Sequence, residues 1–280
     1  METINLQPAM HDTQREVTLL FADLRGFTEI AAALQTDPLF CELLSHVMDC
    51  LTDAVVEYDG FVIDYFGDGL LAMWNAPADQ TNHAELACRA GLQMLATLPA
   101  VAAEWVRMIH TDLRVGIGVH TGTVQVGNAG SKQRTKYGAR GPNVHLASRV
   151  EAATKELRLP LVATQATVDQ LSGDLAAHRV CRANMPGLQQ PVDLYAVASS
   201  ESEVRNAHRW LVYDRALLQF EQGDFEAAAE TLAAVDATIV EVPSQFLLER
   251  VERELGQKLR RRSTDNAATS AAGVIAITAK

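Results

Sequence analysis

The chain has 280 residues, 48% of them hydrophobic and 21% charged, an ordinary balance for a globular protein of one large or two small domains. Its net charge of −11 excludes a surface made for nucleic acid or anionic lipid, because both need clustered Lys and Arg. Cys41, Cys50, Cys88 and Cys181 have neither metal-ligand nor disulfide spacing and read as buried, reduced thiols, and no apolar run reads as a leader or a bilayer span, so the expected location is the cytoplasm.

Residues 1–15 form a short polar lead-in to a domain expected over 16–198. Residues 16–21 read as a strand whose apolar run stops at Asp23 in Phe21-Ala-Asp-Leu-Arg-Gly-Phe-Thr28. Residues 38–58 place Leu39, Leu43, Leu44, Val47, Met48, Leu51 and Val55 at helical spacing, which predicts an amphipathic helix. In residues 61–74, two apolar runs flank Gly67-Asp68-Gly69, a tight-turn signal that predicts a β-hairpin. Residues 83–98 carry a second helical pattern. Residues 113–120 and 123–126 read as a second hairpin turning at Thr121-Gly122. The order βα(α)ββαβ is that of an α+β, ferredoxin-like (palm-type) antiparallel sheet with helices.

In that topology the end of the first strand and the turn of the first hairpin share one sheet edge. Asp23 and Asp68 then meet. Two carboxylates at one edge repel unless a cation neutralises them, which suits one or two Mg²⁺ on a triphosphate. Taken singly, each has a plainer reading: Asp68 as turn chemistry and Asp23 as a helix N-cap.

Pro142 after Gly141 predicts a helix start, from which His145 and Arg149, four apart, project on one face. A strand near 161–163, a short helix from Thr164 and a last strand pair ending at Val197 complete the domain. Ser and Glu at 199–203 mark a boundary. Residues 205–257 then read as a tetratricopeptide-like helical hairpin about Gln222-Gly223-Asp224, expected to pack on the preceding domain or on a regulatory partner. Residues 258–280 are expected to be a disordered tail.

These residues resemble the class III nucleotide cyclases. The likeness runs over about residues 17–197, through Phe21–Thr28, Phe66-Gly-Asp-Gly-Leu-Leu-Ala-Met-Trp74, Leu113-Arg-Val-Gly-Ile-Gly-Val-His-Thr-Gly122, Val144-His-Leu-Ala-Ser-Arg149 and Pro191-Val-Asp-Leu-Tyr195. The resemblance implies conversion of a nucleoside triphosphate, ATP by default, to its 3′,5′-cyclic monophosphate and pyrophosphate. It also implies a head-to-tail homodimer with shared active sites. Asp23, Asp68 and the carbonyl of Leu24 match the ligands of two Mg²⁺ or Mn²⁺ ions per site. Arg149 matches the transition-state arginine, Arg114 a triphosphate arginine, and Arg25, Gly26, Phe27 and Thr28 a phosphate-cradling helix start.

Departures fall at the base and ribose. Asp64 stands where many adenylyl cyclases have a base-reading lysine, Gly138 where they have Asp or Thr, and His145 where they have a ribose-orienting Asn. The lysine often found before the last strand is absent from residues 184–188. Guanine or pyrimidine nucleotides are therefore alternative substrates, and a silent nucleotide-binding domain is the alternative from another class.

Overall fold

The structure is a computed structural model that describes residues 12–34, 39–109, 113–131, 133–233, 243–263 and 273–278. The apolar run 17–24 forms the middle of strand β1 (Thr13–Arg25). Val17 and Leu19 face one side of the sheet, and Leu20, Ala22 and Leu24 the other, as strand alternation requires. Two helices follow, α1 (Phe27–Leu34) and α2 (Phe40–Glu57), then the hairpin β2 (Phe61–Phe66) and β3 (Gly69–Trp74). Gly67 takes φ +66° in its turn, a conformation that disfavours any side chain. Helix α3 (His83–Ile109) leads into β4 (Arg114–Gly130), β5 (Thr135–Arg140), α4 (Pro142–Leu157), β6 (Leu161–Thr164), α5 (Gln165–Val168), β7 (Ala176–Asn184) and β8 (Val192–Ala198).

The strands form one open sheet in the order β2-β3-β1-β4-β6-β8-β7-β9, with β5 paired to β4 outside this path. The expected α+β sheet is present, but it is mixed rather than antiparallel. Strand β6 runs parallel to β4, and β9 (Val274–Ala276) runs parallel to β7. Helices α1 to α3 cover one face, where Leu20, Val47, Leu51, Leu70, Met94 and Ile117 are buried together. The other face carries Leu19, Leu71, Met73, Val124 and Val126, with Ala147 of α4.

Several expectations change. The strand of Asp23 does not stop there but pairs with β4 as far as Arg25 opposite Arg114. Thr121-Gly122 is no turn, because β1 continues in register opposite both residues. The chain instead reverses between Ser131 and Arg134, where Arg134 N–H donates to the Ser131 carbonyl at 3.2 Å. The 23-residue stretch His83–Trp105 of α3 is long and apolar enough to cross a bilayer, contrary to the expectation of no such run. One side of it, Ala87, Cys88, Ala90, Met94 and Leu98, is buried against the sheet. Cys41 is exposed and Cys50 half-buried, so only Cys88 and Cys181 are buried thiols, and all four are free.

The C-terminal segment has three helices rather than a hairpin alone: α6 (Ser200–Glu221), α7 (Phe225–Ala233) and α8 (Ser244–Ser263). They share a core with the sheet: Trp210, Tyr213, Phe220, Phe246 and Leu247 pack with Val162, Val180, Leu194 and Leu157. Tyr213 donates its hydroxyl to the Val180 carbonyl at 2.8 Å, and Trp210 stacks on His178 with centroids 4.2 Å apart. Within the tail expected to be disordered, residues 258–263 continue α8 and residues 274–276 form β9. Most of the lead-in, and residues 264–272 of the tail, lie outside the described residues.

Candidate active site

Asp23 lies opposite Gly69 in the β1–β3 ladder, and Asp68 precedes Gly69. The two carboxylates expected at one edge are therefore neighbours. Burial pushes the Asp23 carboxyl above its ordinary value, against a favourable field from Arg25. Burial also raises Asp68, and the negative charge of Asp23 raises it further. Glu151 of α4 joins them. Burial lifts its carboxyl to about 7, Arg25 opposes the shift, and Asp23 and Asp68 add to it.

Arg25 does not balance the pair directly, because its guanidinium turns to α4. It hydrogen-bonds Thr154 and reaches the Glu151 carbonyl at 3.4 Å. Its Nη2 lies 3.1 Å from Glu151 Oε1, close enough for an ion pair but off the line of a hydrogen bond, so this buried oxygen has no directed partner. α4 comes this close because a side chain at Gly118 of β4 would collide with the backbone of Glu151, and one at Gly116 with Arg25.

Among the described residues, no group of three or more His, Cys, Asp or Glu side chains is arranged to hold a metal. A hard dication needs no such group when phosphate oxygens, water and a backbone carbonyl complete its shell. Two neighbouring carboxylates raised by burial, with only oxygen donors, fit Mg²⁺ or Mn²⁺. Leu24 carries the candidate third oxygen on its backbone, while its side chain is buried.

The other expected residues fall into three places. Gly26 takes φ +71°, and its carbonyl accepts from the N–H of Glu29 and Ile30 at 3.2 Å, which starts α1. Phe27 packs on Phe40 at 5.6 Å, while Thr28 and Arg114 are exposed at this same end of the sheet. Asp64 and Gly138 meet in a second place. Strand β5 comes against β2, with Phe61 edge-on to Tyr137 at 5.5 Å and no room for a side chain at Gly138 beside Ile63. There Lys136 pairs with Asp64 and holds its carboxyl below the usual value. The third place is the outer part of α4. His145 is exposed, and the Arg149 guanidinium lies beside Gly187 in the β7–β8 turn.

Lys136 and Glu151 escaped sequence reasoning. No local pattern pairs β5 with β2. Glu151 faces Asp23 and Asp68 only because α4 is seated on β4, a contact no local pattern announces.

Residues 9–199 match the family model for the adenylate and guanylate cyclase catalytic domain. The chain is 34% identical over 184 residues to adenylate cyclase 1 of Rhizobium meliloti, covering 66% of this chain and 28% of that protein. It is 30% identical over 164 residues to an adenylate cyclase of Anabaena cylindrica, covering 56% and 31%. It thus spans under a third of the length of these curated relatives. Among solved structures it resembles the adenylyl cyclase CyaB from P. aeruginosa, with TM-score 0.63 and 25% identity, covering 68% of this chain and 97% of that one. The guanylyl cyclase Cya2 gives TM-score 0.57 and 28% identity over 68% and 95%.

Proposed function

We propose a nucleotidyl cyclase on a plain premise: this chain belongs to the class III adenylate and guanylate cyclase family. Residues 16–198 convert a nucleoside triphosphate, ATP by default, to the 3′,5′-cyclic monophosphate and pyrophosphate. The observation that carries this reading is the Asp23–Asp68 pair, two half-buried neighbouring carboxylates, both raised by burial, with Asp68 raised further by the charge of Asp23.

Mg²⁺ or Mn²⁺, two ions per site, held by Asp23, Asp68 and the Leu24 carbonyl would lower the pKa of the ribose 3′-hydroxyl and neutralise phosphate charge. The start of α1 at Gly26–Thr28 offers unpaired backbone N–H groups to the phosphates, and Arg114 adds a guanidinium. Arg149 stabilises the charge that grows on the phosphoryl oxygens with a forked donor that a lysine lacks.

The helix geometry favours a site shared between two copies of the chain. Glu151 is turned toward Asp23 and Asp68. Arg149, two residues earlier on α4, points elsewhere, because helix positions two apart do not face each other. Its guanidinium lies beside Gly187 in the β7–β8 turn instead, and a head-to-tail dimer would bring it to the carboxylates of a partner. His145 shares the Arg149 face and is assigned to the ribose. Such a protein, acting in the cytoplasm, serves intracellular signalling.

Asp64, ionised and held by Lys136, offers an acceptor next to an ammonium donor. That pair replaces the base-reading lysine of the common pattern, and a purine edge with one donor and one acceptor fits it. We expect ATP to be accepted, with GTP the nearest rival and modest selectivity between them. The test is incubation with each of the four nucleoside triphosphates and Mn²⁺, followed by separation of the products. Cyclic product from ATP is the expected result, and absence of cyclic product from all four overturns the enzyme. Asp64→Ala or Lys136→Met is expected to move the ATP:GTP ratio of kcat/KM by about tenfold. A ratio unchanged in both variants places base choice elsewhere.

A further inference from the structure

A continuous chain of hydrogen bonds runs through the sheet, away from the metal residues. His83 Nδ1 is 2.7 Å from Thr18 Oγ1, which is 2.8 Å from Thr121 Oγ1. Thr121 reaches Thr167 Oγ1 at 3.1 Å, and Thr167 reaches Thr164 Oγ1 at 3.4 Å. Thr164 is 2.8 Å from His120 Nδ1, and His120 Nε2 is 3.0 Å from Asn143 Oδ1. Asn143 Nδ2 ends the chain on the Thr123 carbonyl at 2.8 Å. Every member from His83 to His120 is at most 5% exposed. Thr121 and His120 are adjacent in β4 and point to opposite faces, so the chain passes from the α3 side of the sheet to the α4 side by way of α5.

One end fixes the direction of the whole. The Thr123 carbonyl can only accept, so the Asn143 amide nitrogen must face it and Oδ1 must face His120. His120 Nε2 therefore donates. Burial pulls the His120 pKa down, so the ring is neutral and Nδ1 accepts from Thr164. Each threonine has a single proton to give. With that of Thr164 given to His120, Thr167 must donate to Thr164, Thr121 to Thr167, and Thr18 to Thr121. His83 is then left to donate from Nδ1 to Thr18.

We propose that Asn143, fixed by the Thr123 carbonyl, locks His120 as the Nε2–H tautomer and so sets the direction of this one-way relay, and that His120 is a positioning residue for the reaction. It anchors Asn143 in the first turn of α4, the helix that carries His145 and Arg149. The relay needs only the fold, while its consequence for turnover rests on the cyclase reading.

Two measurements test it. Long-range ¹H–¹⁵N correlation of the metal-free wild type should find His120 protonated on Nε2 and His83 on Nδ1. The opposite tautomer at either ring overturns the relay, with or without cyclase activity. The second uses side-chain amides as mimics of one ring nitrogen each. His120→Gln keeps a donor where Nε2 stood, whereas His120→Asn keeps one only near Nδ1 and leaves Asn143 Oδ1 without its partner. His120→Gln should retain kcat to within about threefold, and His120→Asn should lose on the order of tenfold in kcat with KM unchanged. Equal kcat in the two variants, or a loss confined to KM, overturns the positioning role. A wild type that makes no cyclic nucleotide overturns the cyclase reading and leaves the tautomers to decide the relay.

Discussion

Asp23→Ala and Asp68→Ala are each expected to lower cyclic-nucleotide formation by about a thousandfold or more, since the lost charge stabilisation is worth several kcal/mol. The fold should survive, because both side chains are half-buried and lie outside the apolar core clusters. Without metal the variants should be at least as stable as the wild type near neutral pH. Both carboxyls have folded pKa values above the ordinary 3.8. The folded state thus holds its protons more tightly than the unfolded chain, and stability falls as pH rises from about 3.8 through the folded values. Ionising either carboxyl in the fold carries a desolvation cost, and the charge of Asp23 adds repulsion at Asp68, so deleting one relieves part of that cost. The checks are kcat with saturating Mn²⁺ and Tm with and without it. The wild type should gain Tm from Mn²⁺ and the variants should gain little. Near wild-type turnover in either variant contradicts the metal assignment.

Arg149→Ala is expected to lower kcat on the order of a hundredfold to a thousandfold, with KM within a few-fold of wild type. In the proposed mechanism the guanidinium meets charge that exists only in the transition state, and deleting such a donor would cost roughly 2.7–4 kcal/mol by analogy with oxyanion-hole variants. Arg149→Lys should recover only part of the loss, because a point charge cannot fork across two oxygens. Steady-state kinetics over a range of nucleotide concentrations separates the two constants. A change in KM alone reassigns Arg149 to binding of the ground state.

What the sequence made legible was local. An apolar run broken by Asp23, and Gly67-Asp68-Gly69 between two apolar runs, each state a strand end or turn within a few residues. The topology then brings them together. Gly141-Pro142 likewise marks the start of α4. Long-range contacts stayed hidden. The Asp64–Lys136 pair joins strands 72 positions apart in sequence and depends on β5 coming against β2. Glu151 turns inward only because Gly116 and Gly118 let α4 settle on β4. Thr121-Gly122 was misleading because glycine in a strand can serve close packing as well as a turn, here beside Asn143. Residues 274–276 join the sheet as β9 by pairing with β7, a partner almost a hundred residues away that no local pattern announces.

The most direct test of the shared two-carboxylate and arginine site is complementation. If the proposed head-to-tail dimer forms, Asp23→Ala protein mixed with Arg149→Ala protein gives heterodimers in which one site is doubly defective and the other keeps both Asp23 and Arg149. With free subunit exchange, half the dimers are mixed, and activity should return to about a quarter of wild type. Exchange is verified by native mass spectrometry of mass-tagged subunits. Mixed dimers that form in that proportion yet make no more cyclic nucleotide than either variant alone would contradict the shared site.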